Sequence, residues 1–204
     1  MMDFFLGKKD KKIEETAKKL GFERILFVKQ IEKPEYFNKL EKEKNKRQFD
    51  ACLIKTKNLE IMRKFIDKAY NFFEYILVLG TSDEINRSSL EHKKVFALVA
   101  PEFSRGKDFL YQRNAGLNHV LCKLARANKK SIIFRFSDIT EAQNKSLILG
   151  KIAQSIKICK KYGTNYLFIN FCSHPKEMMH EKELKILEKL LLVDPFLRDL
   201  NRPH

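Results

Sequence analysis

The stretch YILVLGTSDEINRSSLEHKKVFALVAPE (residues 75–102) places two apolar runs on either side of a short polar interval. The runs, YILVLG and VFALVAPE, are rich in the β-branched and apolar residues that favour strands. Five more runs of this kind occur along the chain: MMDFF (1–5), RILFVKQ (24–30), DACLIKT (50–56), SIIFRF (131–136) and YLFINFC (166–172). The sequence therefore predicts seven short strands.

The segments between several of these runs have the periodicity of amphipathic helices. Examples are the apolar positions Met62, Phe65, Ile66 and Ala69, and Leu149, Ile152, Ala153 and Ile156. Nearly continuous apolar strands that alternate with helices are typical of a parallel sheet covered by helices. Because seven units are present and no glycine-rich turn follows the first run, a barrel is favoured over an open doubly wound sheet. We predict an α/β, TIM-barrel-like fold with about seven parallel strands and surrounding helices.

Residues 1–204 are predicted to form a single domain, in which the densely charged segment 31–48 connects two strands as an exposed helix or loop. We favour this interpretation of the segment over a dedicated RNA-binding arm. Apolar residues make up 44% of the chain, which excludes general disorder. No run approaches the roughly 18 apolar residues of a membrane span. The four cysteines form no CxxC pair and lie in apolar stretches, so we expect reduced thiols and a soluble intracellular protein.

The sequence contains none of the motifs GxGxxG, GxxxxGK[ST], GxSxG or HExxH. Its five histidines are scattered. We therefore predict no catalytic residue, no metal ligand and no cofactor in this chain.

The net charge of +15 is unevenly distributed along the chain. Residues 105–161 contain 13 basic and only three acidic side chains, whereas residues 162–204 contain six of each. Two interpretations are open, an ordinary solvated surface or a surface that contacts phosphates. An ordinary exposed face mixes both signs of charge, so the scarcity of acids favours phosphate contact.

A helix predicted over about 113–128 concentrates this charge on one face. The 100° step of a helix aligns His119, Lys123 and Arg126, and Lys130 would join them if the helix continued. The apolar positions Leu117, Val120, Leu121, Leu124 and Ala125 are predicted to lie on the opposite side. The helix would then present a basic stripe outward, either as a solvated face or as an RNA contact.

Four stretches together resemble the archaeal and eukaryotic family of ribonuclease P protein component 3. They are DEINRSSLEH (83–92), ALVAPE (97–102), NAGLNHVLCKLARANKKSIIF (114–134) and ICKKYGTNYLFINFCSHPKEM (158–178). The resemblance extends from about residue 75 to 192, and GLNHVL followed by a basic helix and an apolar strand is its most specific part. It implies a barrel related to the polymerase and histidinol phosphatase barrel. It also implies a subunit of the ribonucleoprotein that removes the 5′ leader from precursor tRNA.

In that family the RNA subunit performs the cleavage, and the protein binds RNA together with a small ferredoxin-like protein subunit. The resemblance therefore implies an endoribonuclease component without its own active site. Its expected partners are the catalytic RNA, precursor tRNA and the ferredoxin-like subunit, with a heterotetramer as one assembly. The expected compartment is the cytoplasm, or the nucleus in a eukaryote.

The chain departs from an active phosphoesterase because no His-x-His follows the first predicted strand. One histidine, His174, stands at the carboxyl end of a predicted strand, where barrel enzymes place their chemistry. A single ligand cannot hold a catalytic metal. Two alternatives remain, an autonomous metal-dependent phosphoesterase and a non-catalytic scaffold for other proteins.

The predicted RNA-binding residues are basic or polar and lie at the predicted barrel rim or on the basic helix: Arg87, Arg113, Asn118, His119, Lys123, Arg126 and Lys130. Structural roles are predicted for two neighbours of this set. Glu84 would pair with Arg87 or Arg113, and Arg135 would form a buried ion pair with Asp83 or Glu102. Asn86 either caps a short helix or contacts RNA. Ser173 and His174, at a predicted strand-to-helix turn, either cap the following helix or have a functional role.

Overall fold

The computed structural model describes residues 1–42, 48–103 and 115–192, in which strands and helices alternate. The strands are β1 (Met2–Leu6), β2 (Arg24–Ile31), β3 (Ala51–Ile54), β4 (Tyr75–Leu79), β5 (Ala97–Val99), β6 (Ser131–Arg135) and β7 (Tyr166–Ile169). The helices are α1 (Lys11–Lys19), α2 (Glu35–Lys42), α3 (Leu59–Ala69), α4 (Asp83–Glu91), α5 (His119–Ala127), α6 (Phe136–Glu141), α7 (Lys145–Tyr162) and α8 (Glu181–Leu192). Short 3₁₀ turns cover Pro101–Phe103 and Pro175–Glu177.

The seven strands form one parallel sheet in sequence order, so each strand pairs with the next. The two edge strands also meet. Phe5 forms a parallel bridge with Cys172, and the Leu6 amide donates to the Cys172 carbonyl at 2.9 Å. The sheet thus closes almost completely, and the predicted TIM-barrel-like fold is confirmed.

Alternate strand residues point into the barrel or toward the helices, as the two-residue period of a strand requires. The interior cluster includes Phe4, Leu26, Leu53 and Phe171, and Phe4 stacks on Phe171 with ring centroids 5.6 Å apart. The alternate strand residues, such as Phe27 and Ile132, have side chains that point outward and pack against the helices. Both faces of the strands are therefore apolar, which explains the continuous runs in the sequence.

A buried carboxylate ties the two edges of the barrel together. Asp3 in β1 accepts hydrogen bonds from the Asn170 side-chain amide at 2.8 Å and from the Phe171 backbone at 3.3 Å. Phe171 has a φ of 51°, which is an unfavourable conformation for a bulky residue. Burial raises the pKa of Asp3 to about 6, although these hydrogen bonds oppose the rise. The network holds the strained end of β7 against β1.

The charged segment 31–48 contributes more to the core than its sequence suggests. Strand β2 continues to Ile31, and α2 begins at Glu35. Phe37 on α2 is fully buried, with its ring 5.5 Å from that of Phe65. The segment is thus a helical connection, as predicted, but it is anchored in the core rather than simply exposed. Residues 43–47 lie outside the described part of the chain.

All four cysteines are buried and unpaired. Among residues 1–42, 48–103 and 115–192, no helix is both long enough and apolar enough to span a bilayer.

Candidate nucleic-acid interface

Helix α5 presents the predicted basic stripe, but it is shorter than predicted. Asn118 caps it, with its side-chain oxygen accepting from the Leu121 amide at 2.9 Å, so the helix begins at His119 instead of near 113. Leu121 and Ala125 are buried on the inner side. His119, Lys123 and Arg126 are exposed on the outer side, as the periodicity predicts.

These three cationic or polar side chains converge on Tyr162, the last residue of α7. The Lys123 ammonium lies 5.6 Å from the centre of the Tyr162 ring, and the His119 ring lies 6.2 Å from it. The Arg126 guanidinium donates to the Tyr162 carbonyl at 3.2 Å. Lys161 approaches the same ring at 5.9 Å. We call His119, Lys123, Arg126, Lys161 and Tyr162 the Tyr162 cluster.

The Tyr162 cluster carries positive charge without a local acid. Within the described residues, Lys123, Arg126 and Lys161 have no carboxylate within ion-pair distance. Two further lysines of α7, Lys157 and Lys160, are exposed nearby in its last two turns. Cations at a helix carboxyl terminus are stabilised by the helix dipole, so α7 tolerates this concentration of charge. The surface is suited to a polyanion that supplies the missing negative charge.

Tyr162 was not among the residues predicted from the sequence. Its position before Gly163, which has a φ of 62° and ends α7, marks it as a helix terminus. Its proximity to α5 comes from the packing of α5 on α7, which periodicity within one helix does not reveal. The sequence signal that was available is the run of lysines around it, KICKKYG (157–163).

Lys130 does not belong to this surface, contrary to the prediction. Helix α5 ends at Ala127, and Lys129 has a φ of 53°, which turns the chain away from the helix axis. The buried Lys130 ammonium donates to the backbone carbonyls of Lys93, at 2.8 Å, and Val95. Burial lowers its pKa from the ordinary lysine value. Lys130 therefore connects the loop between α5 and β6 to the loop between α4 and β5.

The structure gives mixed results for the residues next to α5. Arg87 on α4 is exposed but pairs with Glu91 at 2.9 Å, not with Glu84. Arg113 lies outside the described residues. Val120, predicted on the apolar side, is 49% exposed and borders the basic stripe.

Asn86 is not a cap, because Ser82 caps α4 and the buried Asn86 donates to the Gly116 carbonyl at 3.2 Å.

Two buried carboxylates lie near the carboxyl ends of β5 and β6. Arg135 does form an ion pair with a buried carboxylate, but its partner is Asp138, with Nε 2.6 Å from Oδ2, rather than Asp83 or Glu102. The Arg135 side chain itself is only partly buried. Glu102 is 1% exposed, and neither of its carboxylate oxygens has a hydrogen-bond partner among the described residues. Burial, followed by the neighbouring Asp138 charge, raises the pKa of Glu102 to about 8. Burial therefore favours the protonated form of Glu102 at neutral pH.

Within the described ranges, no three histidine, cysteine or acidic side chains come together as a metal site. His174 precedes the 3₁₀ turn Pro175–Glu177, and its backbone amide donates to the Glu177 carboxylate at 3.3 Å. The structure thus places His174 at the start of a turn through its backbone, and both roles that the sequence left open for its side chain stay predictions.

Sequence comparison supports the family resemblance. The chain is 34% identical over 118 residues to Ribonuclease P protein component 3 of Methanococcus maripaludis strain C6, which is 57% of this chain and 48% of that protein. It is 29% identical over 118 residues to the protein of the same name from Methanococcus vannielii, with the same coverage. The chain spans about half the length of the curated relatives it matches. No family model matches.

The fold has counterparts among solved structures. A chain of a cryo-EM structure of archaeal ribonuclease P with mature tRNA superimposes with a TM-score of 0.71 at 19% identity, covering 98% of this chain and 85% of that one. The crystal structure of an uncharacterized protein superimposes with a TM-score of 0.59 at 11% identity, covering 94% and 59%. The resemblance predicted from the sequence is confirmed: this chain is similar to Ribonuclease P protein component 3.

Proposed function

We propose that this chain is a protein subunit of ribonuclease P, which binds the catalytic RNA and supports removal of the 5′ leader from precursor tRNA. The observation that carries the proposal is the uncompensated positive charge of the Tyr162 cluster on a barrel similar to a chain of archaeal ribonuclease P. The similarity to component 3 proteins supports the same assignment. In this proposal the RNA subunit performs the cleavage, and the protein positions the catalytic RNA.

The cluster is suited to positioning because its cations stand on rigid elements. Lys123 and Arg126 are fixed on α5, and Arg126 is further held by its hydrogen bond to the end of α7. Contacts from such side chains to phosphate oxygens set the register and orientation of a bound nucleic acid without reading its sequence. The ordered cations therefore lose little conformational freedom when RNA binds.

The proposal includes two further expectations. The chain binds a small ferredoxin-like protein subunit, in a heterotetramer, and contacts precursor tRNA through the assembled enzyme. It acts in the cytoplasm, or in the nucleus if its source cell is eukaryotic.

Reconstitution tests the function directly. Precursor tRNA is incubated with the ribonuclease P RNA and the other protein subunits, with and without this chain, at a fixed Mg²⁺ concentration. We expect the chain to increase the cleavage rate at the mature 5′ end. An unchanged rate would contradict the proposal. Phosphoester hydrolysis by the purified chain alone would instead favour the autonomous phosphoesterase.

Replacing Lys123 and Arg126 together with alanine should weaken binding to the ribonuclease P RNA without unfolding the protein, because both side chains are exposed. If about five phosphates are engaged, log Kd should vary with log salt with a slope of magnitude about 3.5 to 4.5. The double variant should lower that magnitude by about 1.4 to 1.8. Filter binding over a salt series measures both values.

The matched control replaces Arg63 and Lys64, which are exposed on α3, and so removes the same charge elsewhere. Its salt dependence should equal that of the wild type. Equal losses in the two variants would show that only net charge matters and would place the specific contact outside α5.

A further inference from the structure

A second basic site lies at the seam of the barrel, where β1 and β7 end. A cleft of about 590 Å³ opens there between the β1–α1 connection and the turn after β7. Its lining includes Lys8, Lys9, Lys12 and Ser173, above an apolar floor that includes Phe5 and Ile13. We call this the seam cleft.

The seam cleft is separate from the Tyr162 cluster. Tyr162 ends α7 and leads into the amino end of β7, whereas the cleft lies beyond the carboxyl ends of β1 and β7. In a parallel barrel these are opposite ends of the molecule. The two basic regions therefore lie on different surfaces of the molecule.

The lysines around the seam cleft outnumber the acids that balance them. Four lysines occupy five positions, 8–12, and the intervening Asp10 uses one carboxylate oxygen to cap α1 through the Lys12 amide at 2.8 Å. Lys9 pairs with Asp50 at 2.6 Å. In the described part of the chain, no carboxylate lies within ion-pair distance of Lys8, Lys11 or Lys12.

This arrangement is unfavourable for the protein alone. Positive side chains in the first turn of a helix oppose the helix dipole, and neighbouring like charges repel one another. Typical helices place acids there and lysines in the last turn. Helix α1 has Lys18 and Lys19 in its last turn, and its first turn holds one acid, Glu14, beside Lys11 and Lys12. An anion in the cleft would remove both penalties at once. The excess of lysines over acids in this turn is therefore a feature that a bound anion would balance.

We propose that the seam cleft binds the phosphodiester backbone of RNA, with Lys8 and Lys12 contacting phosphate oxygens. The proposal rests on the proposed function, since it names a second site for the same RNA. The Ser173 hydroxyl is exposed and makes no hydrogen bond within the described residues, so it is free to donate to a phosphate oxygen. The cleft volume is in the range of small-ligand sites, and its apolar floor accommodates a sugar or a base.

The test compares two double variants of the same helix region in the full chain. Lys8→Ala with Lys12→Ala removes two charges from the cleft, and Lys18→Ala with Lys19→Ala removes two from the far end of α1. Binding of transcribed ribonuclease P RNA is measured over a salt series, and thermal stability is measured without RNA. We expect the cleft variant to lower the salt slope by about 1.4 to 1.8 and the control to leave it unchanged.

The stability readout separates binding from structure. The cleft variant should melt at the same temperature as the wild type or higher, because the mutations relieve repulsion at the helix start. A lower melting temperature of the cleft variant would show that Lys8 and Lys12 stabilise the fold, and it would overturn the proposal. An unchanged salt slope of RNA binding in the cleft variant would also overturn the proposal. This holds even if the variant loses binding to a protein subunit, since the lysines would then contact protein and not RNA. Failure of the wild type to bind RNA would overturn the proposed function itself.

Discussion

Glu102→Gln should make the protein more stable than the wild type at about pH 8, by a few kcal/mol, while the two proteins differ little at about pH 5. Glu102 is buried without a hydrogen-bond partner among the described residues, and its pKa is raised from 4.5 to about 8. Glutamine has the same shape as the protonated acid and cannot ionise. Urea unfolding followed by circular dichroism at several pH values measures the difference.

The sign follows from the proton balance of Glu102. The unfolded chain loses this proton near pH 4.5, whereas the folded chain keeps it until about pH 8. Because the folded state binds more protons in this window, the stabilising contribution is complete below about pH 4.5 and is lost as the pH rises to about 8. Asp3, whose pKa is raised to about 6, titrates in the same range but is present in both proteins and cancels in the comparison.

Glu141→Gln on the neighbouring helix α6 is the matched control, since it removes the same charge from an exposed position. Its stability should follow the wild-type pH profile. Parallel profiles for Glu102→Gln and the wild type would show that Glu102 is ionised in the folded protein and has a counter-charge.

The barrel could be predicted from the sequence because parallel strands buried on both faces are continuous apolar runs. Each of the seven runs overlaps one observed strand, and even the three-residue β5 is visible as the centre of VFALVAPE. Closure depends on a different kind of contact. The bridge from Phe5 to Cys172 and the hydrogen bonds of Asp3 join residues at the two ends of the sheet, and no local pattern identifies them.

The candidate site could be predicted only in part, for a similar reason. The periodicity of α5 gave the exposed face of His119, Lys123 and Arg126, because it depends on spacing within one helix. The contact of that face with Tyr162 depends on the packing of α5 against α7. Lys130 was placed wrongly because the helix ends three residues before it, and charge alone does not distinguish an exposed lysine from one that joins buried carbonyls.

The charged segment 31–48 shows the same limit for the core. Within IEKPEYFNKLEKEKNKRQ the apolar positions are too few to produce a clear helical period, so Phe37 looked like part of a connecting segment. In the structure it fills a fully buried position between α2 and α3. A single aromatic residue can thus anchor a helix whose other residues are mostly polar.

Phe37→Ala should therefore destabilise the protein by about 3 to 5 kcal/mol, the usual cost of removing a fully buried phenylalanine side chain. The loss combines the transfer of the ring out of the core with the cavity left beside Phe65. Since small domains are stable by only about 5 to 15 kcal/mol, the effect should be a large fraction of the total. The midpoint of urea unfolding measures it.

Phe103→Ala supplies the control, because the same atoms are removed from a side chain that is 39% exposed. It should cost less than about 1.5 kcal/mol, given its smaller burial. Phe37→Leu should fall between the two, since it fills most of the cavity, and it remains measurable if the alanine variant does not fold. Equal effects of Phe37→Ala and Phe103→Ala would mean that α2 is a surface connection after all, as the composition of 31–48 alone suggests.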